Sequence, residues 1–377
     1  MAAPEEFHGL AERAAPALRS AIGGGVRVAA VEPLKAWERN RVARLRLEEG
    51  SAPPSVIVKE ILADDSLGFT DWASLEYVAA VPGAAGVAPR FLGGDVAARL
   101  FVMEDLGGSR SVDDVMREPS RAAAVAALAG LARATAQLHA ATARDGDAPW
   151  AASRGALPVA WPGRAAEGAA WSRAAGPALE AWLASLGARA PAGLAGVLRA
   201  LAESYAEPGP WLAFTHGDPA PSNSHVAADG TVRLLDFEYG APRHALHDVT
   251  AWSVLCPLPA DALAAVRAEY RAALGDPLPS DDASFDAAWA TAVAWRAVRM
   301  LQWIGPDVLA ADAPWVERWT RREAALAVTS RLHDETAAVP SLAPLADAAH
   351  AIAAALRARF PEYEGCETIP QWKAFER

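Results

Sequence analysis

The stretch Thr215-His216-Gly217-Asp218-Pro219-Ala220-Pro221-Ser222-Asn223, followed by Leu234-Leu235-Asp236-Phe237-Glu238, decides how this chain of 377 residues reads. A carboxylate, Asp218, stands five residues before a carboxamide, Asn223; thirteen residues further on, Asp236 closes the largely apolar run Val232-Arg233-Leu234-Leu235. One carboxylate can accept the proton of a hydroxyl, while the second carboxylate and the amide oxygen can hold magnesium on a nucleotide. Each residue alone has a plainer reading: Asp before Pro forms turns, and Asn caps helices. Jointly the plainer reading fails, because a turn does not require an apolar strand that delivers a second carboxylate.

The spacing of Asp218 and Asn223 equals that of the protein-kinase catalytic loop, and Asp236-Phe237-Glu238 falls where the metal-binding Asp-Phe-Gly lies. His-Gly-Asp-x-x-x-x-Asn followed by Leu-Asp-Phe-Glu more closely resembles the aminoglycoside phosphotransferase and choline kinase-like family of small-molecule kinases. The resemblance implies an α+β, bilobal protein kinase-like fold with a small antiparallel-sheet N-lobe and a large, mainly helical C-lobe. On that pattern residues 1–103 form the nucleotide-binding lobe, 104–108 the hinge, and 109–377 the catalytic and substrate-binding lobe. It implies ATP or GTP with Mg2+ as cofactors, a small-molecule hydroxylated acceptor, Asp218 as the base, and Asn223 and Asp236 as metal ligands. His216, beside Asp218 in the catalytic loop, reads as a brace held by hydrogen bonds, since Asp218 already fills the base role. The acceptor reading is an antibiotic-type glycoside or nucleoside, hence an antibiotic-inactivating kinase; choline-like alcohols and other sugars fit the same motifs.

A kinase-like chain needs a nucleotide lobe, and Ser55-Val56-Ile57-Val58-Lys59-Glu60-Ile61 reads as a β-branched strand carrying one Lys. It resembles the Val-Ala-Ile-Lys strand of kinases, which places Lys59 on the nucleotide phosphates. Downstream, Asp71 to Val78 has helical spacing of Trp72, Leu75 and Val78, and resembles the helix whose Glu pairs with that Lys; Glu76 is the expected partner. Two alternating segments, Val28 to Val31 and Val42 to Leu47, suggest a hairpin around a loop at 32–41 that holds no glycine. Family members carry glycines there ahead of an Asn like Asn40, so that backbone amides approach phosphate. Here Lys35, Arg39 or Arg41 are the candidates to replace them, against a plain solvated hairpin tip. Leu100-Phe101-Val102-Met103-Glu104-Asp105-Leu106-Gly107-Gly108 resembles the hinge strand, in which Glu104 and Leu106 contribute main-chain atoms to the adenine.

The rest reads as largely helical. Ala122 to Ala143 carries Val125, Leu128, Leu131, Ala134 and Leu138 at three- and four-residue intervals, ending in a core or capping His139. Beyond Asp236, Asp248 resembles the residue that buttresses the catalytic loop, with a helix-start carboxylate as the plain alternative; Glu238 is a second supporting candidate. Residues 149–211, rich in turns and tryptophan, look like an insertion whose place in the family is over the acceptor pocket. In the run from 284 to 323, Arg296, Arg299 and Trp303 share a helical face. That face reads first as a buried amphipathic helix with arginine stems lying along it. Its sharper reading is an aromatic and guanidinium wall around a sugar or nucleoside, with these three as substrate residues.

A net charge of −11 and a pI near 5.3 argue against nucleic acid or anionic membranes as partners, and agree with a cationic acceptor. Cys256 and Cys366 stand alone, without disulfide or zinc spacing. An acidic start, Met1 to Glu6, and the lack of any run of eighteen apolar residues predict a cytoplasmic protein. The oligomeric state has no signal in the sequence. Two other function classes use the same residues: a nucleotide-binding pseudokinase regulator, suggested by the glycine-free loop, and a metal-dependent phosphohydrolase gathering His216, Asp218, Asp236, His247 and Asp248.

Overall fold

A computed structural model of the protein describes residues 5–62, 66–108, 110–143, 145–155, 157–159, 161–279, 281–317, 319–363, 365 and 369–376. Cys366 lies outside them. After the first helix, α1 (Leu10–Ile22), come strands β1 (Val28–Ala36), β2 (Asn40–Leu47) and β3 (Ser55–Ile61), helix α2 (Ser66–Ala80), and strands β4 (Phe91–Asp95) and β5 (Leu100–Glu104). The five strands form one antiparallel sheet in the order β1-β2-β3-β5-β4.

β3 is central because Val56, Ile57, Val58 and Ile61 suit a strand covered on both sides, and all four are buried. Alternation then assigns its faces. Val56 and Val58 pack with Ala43, Leu45, Leu100 and Val102 against Leu10, Ala14 and Leu18 of α1, in a small core of their own. Glu60, on the same face, is held by Arg13 of α1 at 2.8 Å. Lys59, between them, points to the opposite face, towards α2 and the C-terminal half. Ile61 joins Phe69, Trp72 and Phe101 in the large core that continues through that half.

The expected ten-residue loop between the first two strands is mostly strand. β1 runs on to Ala36 and β2 begins at Asn40, leaving a tight turn closed by Trp37 N–H to Asn40 C=O at 2.9 Å. Pro33 is tolerated because β1 is an edge strand, where a missing N–H costs no ladder bond, and the register shifts just beyond it.

The C-terminal half is helical: α3 (Val112–Arg117), α4 (Arg121–Ala141), α5 (Ala148–Arg154), α6 (Arg164–Ser185) and α7 (Leu194–Ala206) precede the short strands β6 (Leu212–Thr215), β7 (Ser224–Val226), β8 (Val232–Leu234) and β9 (Ala241–His244). After them come the single turns α8 (Leu246–Val249) and α9 (Ala251–Val254), then α10 (Ala260–Leu274), α11 (Asp282–Ile304), a hairpin of β10 (Pro314–Val316) and β11 (Trp319–Thr320), α12 (Arg321–Thr336) and α13 (Ala343–Arg359). The run expected from 284 to 323 therefore ends at Ile304, where Gly305 with φ +68° stops α11. Trp150, Trp171, Trp182, Trp211, Trp252, Trp289, Trp319 and Trp372 are buried, so most of the tryptophan in this half is core. The sheet lobe and the helical lobe together make the two-lobed α+β kinase-like architecture that the sequence leads one to expect. Among the described residues no helix is long and apolar enough to cross a membrane.

Candidate active site

β6 and β9 pair, as do β7 and β8, and the loop from His216 to Asn223 leaves the first pair and enters the second. Gly217 sits there with φ +87°, and a Cβ would lie 2.3 Å from the Tyr239 carbonyl oxygen, so only glycine fits. Asp248, fully buried at the start of the next helical turns, accepts the main-chain N–H groups of His216 at 2.7 Å and Gly217 at 2.9 Å. It also accepts from His139 Nε2 at 3.0 Å, and the Nδ1 of that ring meets the Tyr270 hydroxyl at 2.8 Å. Burial pushes the Asp248 carboxyl up, but these donors hold it below the usual carboxylate range. His216 Nε2 donates to the Leu235 carbonyl at 2.7 Å, and its Nδ1 accepts the Asp218 N–H at 3.3 Å, tying the loop to the end of β8. Arg296 clamps the loop from the other side: its Nε donates to the His247 carbonyl and its Nη2 to the Gly217 carbonyl at 3.4 Å.

Held this way, Asp218 and Asn223 face each other. Asn223 Nδ2 donates to the Asp218 carbonyl at 2.9 Å and to Asp218 Oδ2 at 3.1 Å, which fixes the amide so that Oδ1 is its remaining acceptor. Asp236 follows β8 in the left-handed region, φ +64°, a conformation uncommon outside glycine. Its Oδ1 accepts from Lys59 Nζ at 2.6 Å, while Asp71 Oδ2 takes the same ammonium at 2.6 Å. Burial would lower the Lys59 pKa, and the two carboxylates more than reverse it. Asp236 is likewise pushed up by burial and brought below its ordinary value by Lys59. Asp71 Oδ1 accepts the Phe237 N–H at 2.8 Å, so one carboxylate positions both the lysine and the segment bearing Asp236.

The expected Lys59–Glu76 pair does not form. Glu76 is exposed on α2 and accepts from Trp72 Nε1 at 3.2 Å, one turn earlier. Asp71 was the missed residue, although a signal for it existed: it shares a face with Leu75 and Val78. Glu76→Ala is therefore expected to change stability by no more than about 0.5 kcal/mol, as at other surface sites, and to leave nucleotide affinity unaltered. Thermal unfolding and a nucleotide titration of that variant check this.

Lys59, Asp71 and Asp236 line a cleft of about 140 Å³ whose apolar walls are Val42, Leu75, Pro89, Met103 and Leu235. Asn40 lines it too, buried, with its Oδ1 lacking a partner among the described residues. Lys35 reaches the cleft from the glycine-free hairpin, its ammonium 4.1 Å from the Trp37 ring centroid. Arg39 instead bonds Glu238 at 3.3 Å, and Arg41 bonds Glu60 at 3.4 Å. Burial and the charge of Asp236 raise the Glu238 carboxyl. Of the hinge stretch, Met103 lines the cleft, whereas the Glu104 N–H is committed to the Arg90 carbonyl and its side chain to Arg233. Leu106 follows the sheet and is not among the residues lining the cleft. Asp105, another residue sequence reasoning passed over, anchors the segment through Arg44 at 2.6 Å and Ser55 at 2.6 Å.

On the other side of the catalytic loop lies a larger cavity of about 710 Å³, lined by Gly217, Asp218 and Tyr239 together with residues of α6, α7 and α11. Trp171, Trp295 and Tyr205 stack in a row along it, with centroid separations of 5.8 and 4.1 Å. Arg296, Arg299 and Trp303 all reach this cavity. Arg296 is indeed buried, as the plain reading of α11 has it, yet the face that bears it is a cavity wall. Cys256, near the same region, has its thiol pushed up to about 12 by burial.

The model of the phosphotransferase enzyme family matches residues 59–287, more than half of the chain. No curated protein matches it in sequence. Among solved structures it is similar to macrolide 2'-phosphotransferase MphH from Brachybacterium faecium, at 18% identity and a TM-score of 0.48, over 80% of this chain and 92% of that one. Choline kinase LicA from Streptococcus pneumoniae is similar at 14% identity and a TM-score of 0.43, over 82% and 93% of the two chains. Choline kinase from Cryptosporidium parvum is similar at 11% identity and a TM-score of 0.45, over 94% and 97%. With its family model running from Lys59 through the loop at 216–223 and Asp236, the chain belongs to the phosphotransferase enzyme family and is a small-molecule kinase that phosphorylates a hydroxyl group.

Proposed function

We propose that the enzyme transfers the γ-phosphoryl group of ATP to a hydroxyl of an antibiotic-type glycoside or nucleoside. The observation that carries this reading is the position of Asp218 between two cavities. It lines the 710 Å³ cavity and, 3.1 Å from Asn223, adjoins the loop and strand end that lead to the Lys59–Asp236 cleft. The wide cavity has room for a sugar-sized acceptor, and Trp303, half exposed in its wall, offers an apolar face on which a sugar or base ring can lie.

In this reading residues 1–103 and the 104–108 hinge hold the nucleotide. Val42, Pro89, Met103 and Leu235 enclose its base, and Lys59 and Lys35 meet its phosphates, Lys35 taking the part that glycine amides play elsewhere. Asp218 accepts the proton of the acceptor hydroxyl while that oxygen attacks the γ-phosphorus and the bond to the β-phosphate oxygen breaks. Asp248 and His216 act through the main chain, keeping Asp218 where it is.

Asn223 and Asp236 suit magnesium as oxygen donors. Magnesium takes one or two protein oxygens and completes its shell with phosphate and water, so the lack of a cluster of three ligands among the described residues is no obstacle. When bound it would neutralise phosphate charge. Asp236→Ala is accordingly expected to weaken ATP binding in the presence of magnesium and to flatten its dependence on magnesium concentration. Titration of nucleotide affinity at several magnesium concentrations measures this; an unchanged dependence would show that the metal is held elsewhere.

The reading as a whole is tested by an acceptor panel with mass spectrometry of the products. ATP should be hydrolysed slowly alone and consumed fast only with a suitable acceptor, which then carries the phosphate. Fast phosphate release without acceptor would support hydrolysis instead.

A further inference from the structure

The cavity beside Asp218 carries more positive than negative charge, although the protein as a whole is acidic. Its charged lining is Arg173, Arg243, Arg296 and Arg299 against Glu167 and Asp218. Arg243 and Glu167 neutralise one another, through contacts of 2.7 and 2.9 Å. That leaves three guanidinium groups facing one carboxylate, and His247 adds no further positive charge: burial first, and then Arg296 and Arg243, hold its pKa well below the usual range, so its imidazole stays neutral.

None of the three remaining arginines has a carboxylate partner among the described residues. Arg296 is buried and bonds only to the carbonyl oxygens of His247 and Gly217. Arg299, partly buried one turn further along α11, donates to Gln302 Oε1 at 3.1 Å and lies 5.3 Å from the Trp303 ring centroid. Arg173 is exposed on α6 across the mouth. An unpaired guanidinium in a partly desolvated wall is costly, and the cost falls when a carboxylate or phosphate docks on it, because a planar fork of donors matches those groups. Burial pulls the Arg296 guanidinium below its ordinary value, against the opposing pull of the Asp248 and Asp218 charges, with which it makes no direct ion pair.

We propose that the acceptor is anionic: a hydroxylated sugar or nucleoside bearing a carboxylate, phosphate or sulfate that docks on Arg299 and Arg173, with Arg296 beneath it, while its hydroxyl meets Asp218. The proposal reverses the expectation of a cationic acceptor drawn from the net charge of −11. Net charge describes the whole surface, whereas the field that an acceptor meets is set by the groups lining its own cavity. The proposal rests on the reading of this cavity as the acceptor site.

Three sugars with one ring shape and different charge test it: glucuronate, glucose and glucosamine, titrated calorimetrically into the full-length protein, with sodium sulfate as a ring-free anion. Glucuronate should bind about tenfold or more tighter than glucose, with glucosamine weakest, as expected for one charge-assisted contact. Arg299→Gln should bring glucuronate down to the glucose level. Equal or tighter binding of glucose or glucosamine, retention of the preference in Arg299→Gln, or no binding by any of the four probes would each overturn the proposal. Mass spectrometry with ATP on the same sugars separates the two readings. Phosphorylation of glucosamine but not glucuronate would refute the anionic acceptor and leave the kinase standing. Tight glucuronate binding, with no phosphate transferred to any acceptor of the panel, would refute the acceptor-site reading and leave an anion site.

Discussion

Asp218→Asn is expected to lower turnover by roughly 10²-fold or more while leaving the fold and nucleotide affinity intact. The asparagine keeps an oxygen to accept from Asn223 Nδ2, a contact that Asp218 makes at 3.1 Å, so the loop has no reason to rearrange. What it loses is basicity. The loop's own fixings, from Asp248 to the His216 and Gly217 amides and from His216 to Leu235, do not involve the Asp218 side chain. Turnover is measured with an acceptor that the wild-type enzyme phosphorylates, and nucleotide affinity by titration. Turnover within a few-fold of wild type would remove Asp218 from the base role.

The second large effect is on stability. Lys59→Met should cost about 3–5 kcal/mol at neutral pH, because Asp71 is left buried without a cation. Lys59 and Asp71 are both nearly inaccessible, so solvent screens little of this interaction. The pH dependence has a definite sign. Burial raises the Asp71 carboxyl even with Lys59 present, and without it the folded-state value moves higher still. A carboxyl raised on folding favours the folded state below its unfolded pKa, and that contribution disappears as pH climbs through the folded value. The deficit of the variant is thus smallest in acid and largest at neutral pH. Denaturant unfolding of both proteins across that range measures it; a deficit under about 1 kcal/mol at neutral pH would mean that solvent or another group reaches Asp71.

Which parts of this molecule were legible in sequence follows from how local each signal is. The loop bearing Asp218 and Asn223, and the strand end bearing Asp236, are contiguous runs whose residue types and spacing speak for themselves. The Lys59 strand was legible because β-branched residues crowd around one charge. The choice of Glu76 over Asp71 went wrong because both carboxylates lie on one helix and only the inward face distinguishes them. The hairpin loop is shorter than the sequence suggests because apolar alternation stops at Val31 while the strand itself runs on through Pro33, which an edge strand accommodates. The large cavity beside Asp218, proposed to take the acceptor, was the least legible, since Glu167, Tyr205, Asp218 and Arg296 come from segments far apart in the chain. No window of sequence contains their juxtaposition, and its local charge is invisible to a net sum.

The backbone at Asp236 bears on how this protein can evolve. A carboxylate held at φ +64° occupies a conformation that glycine or asparagine adopts at lower cost, and residues so placed store of order 1–3 kcal/mol. Lys59 would keep Asp71 as a partner if the Asp236 side chain vanished, so little else in the fold defends the position. Mutation and selection for stability alone therefore push this codon away from aspartate, and on the magnesium role proposed for Asp236 it is selection for the reaction that holds it there. In a lineage that no longer needed the reaction, residue 236 would be among the first to drift, making its identity across descendants a record of where catalysis is still under selection.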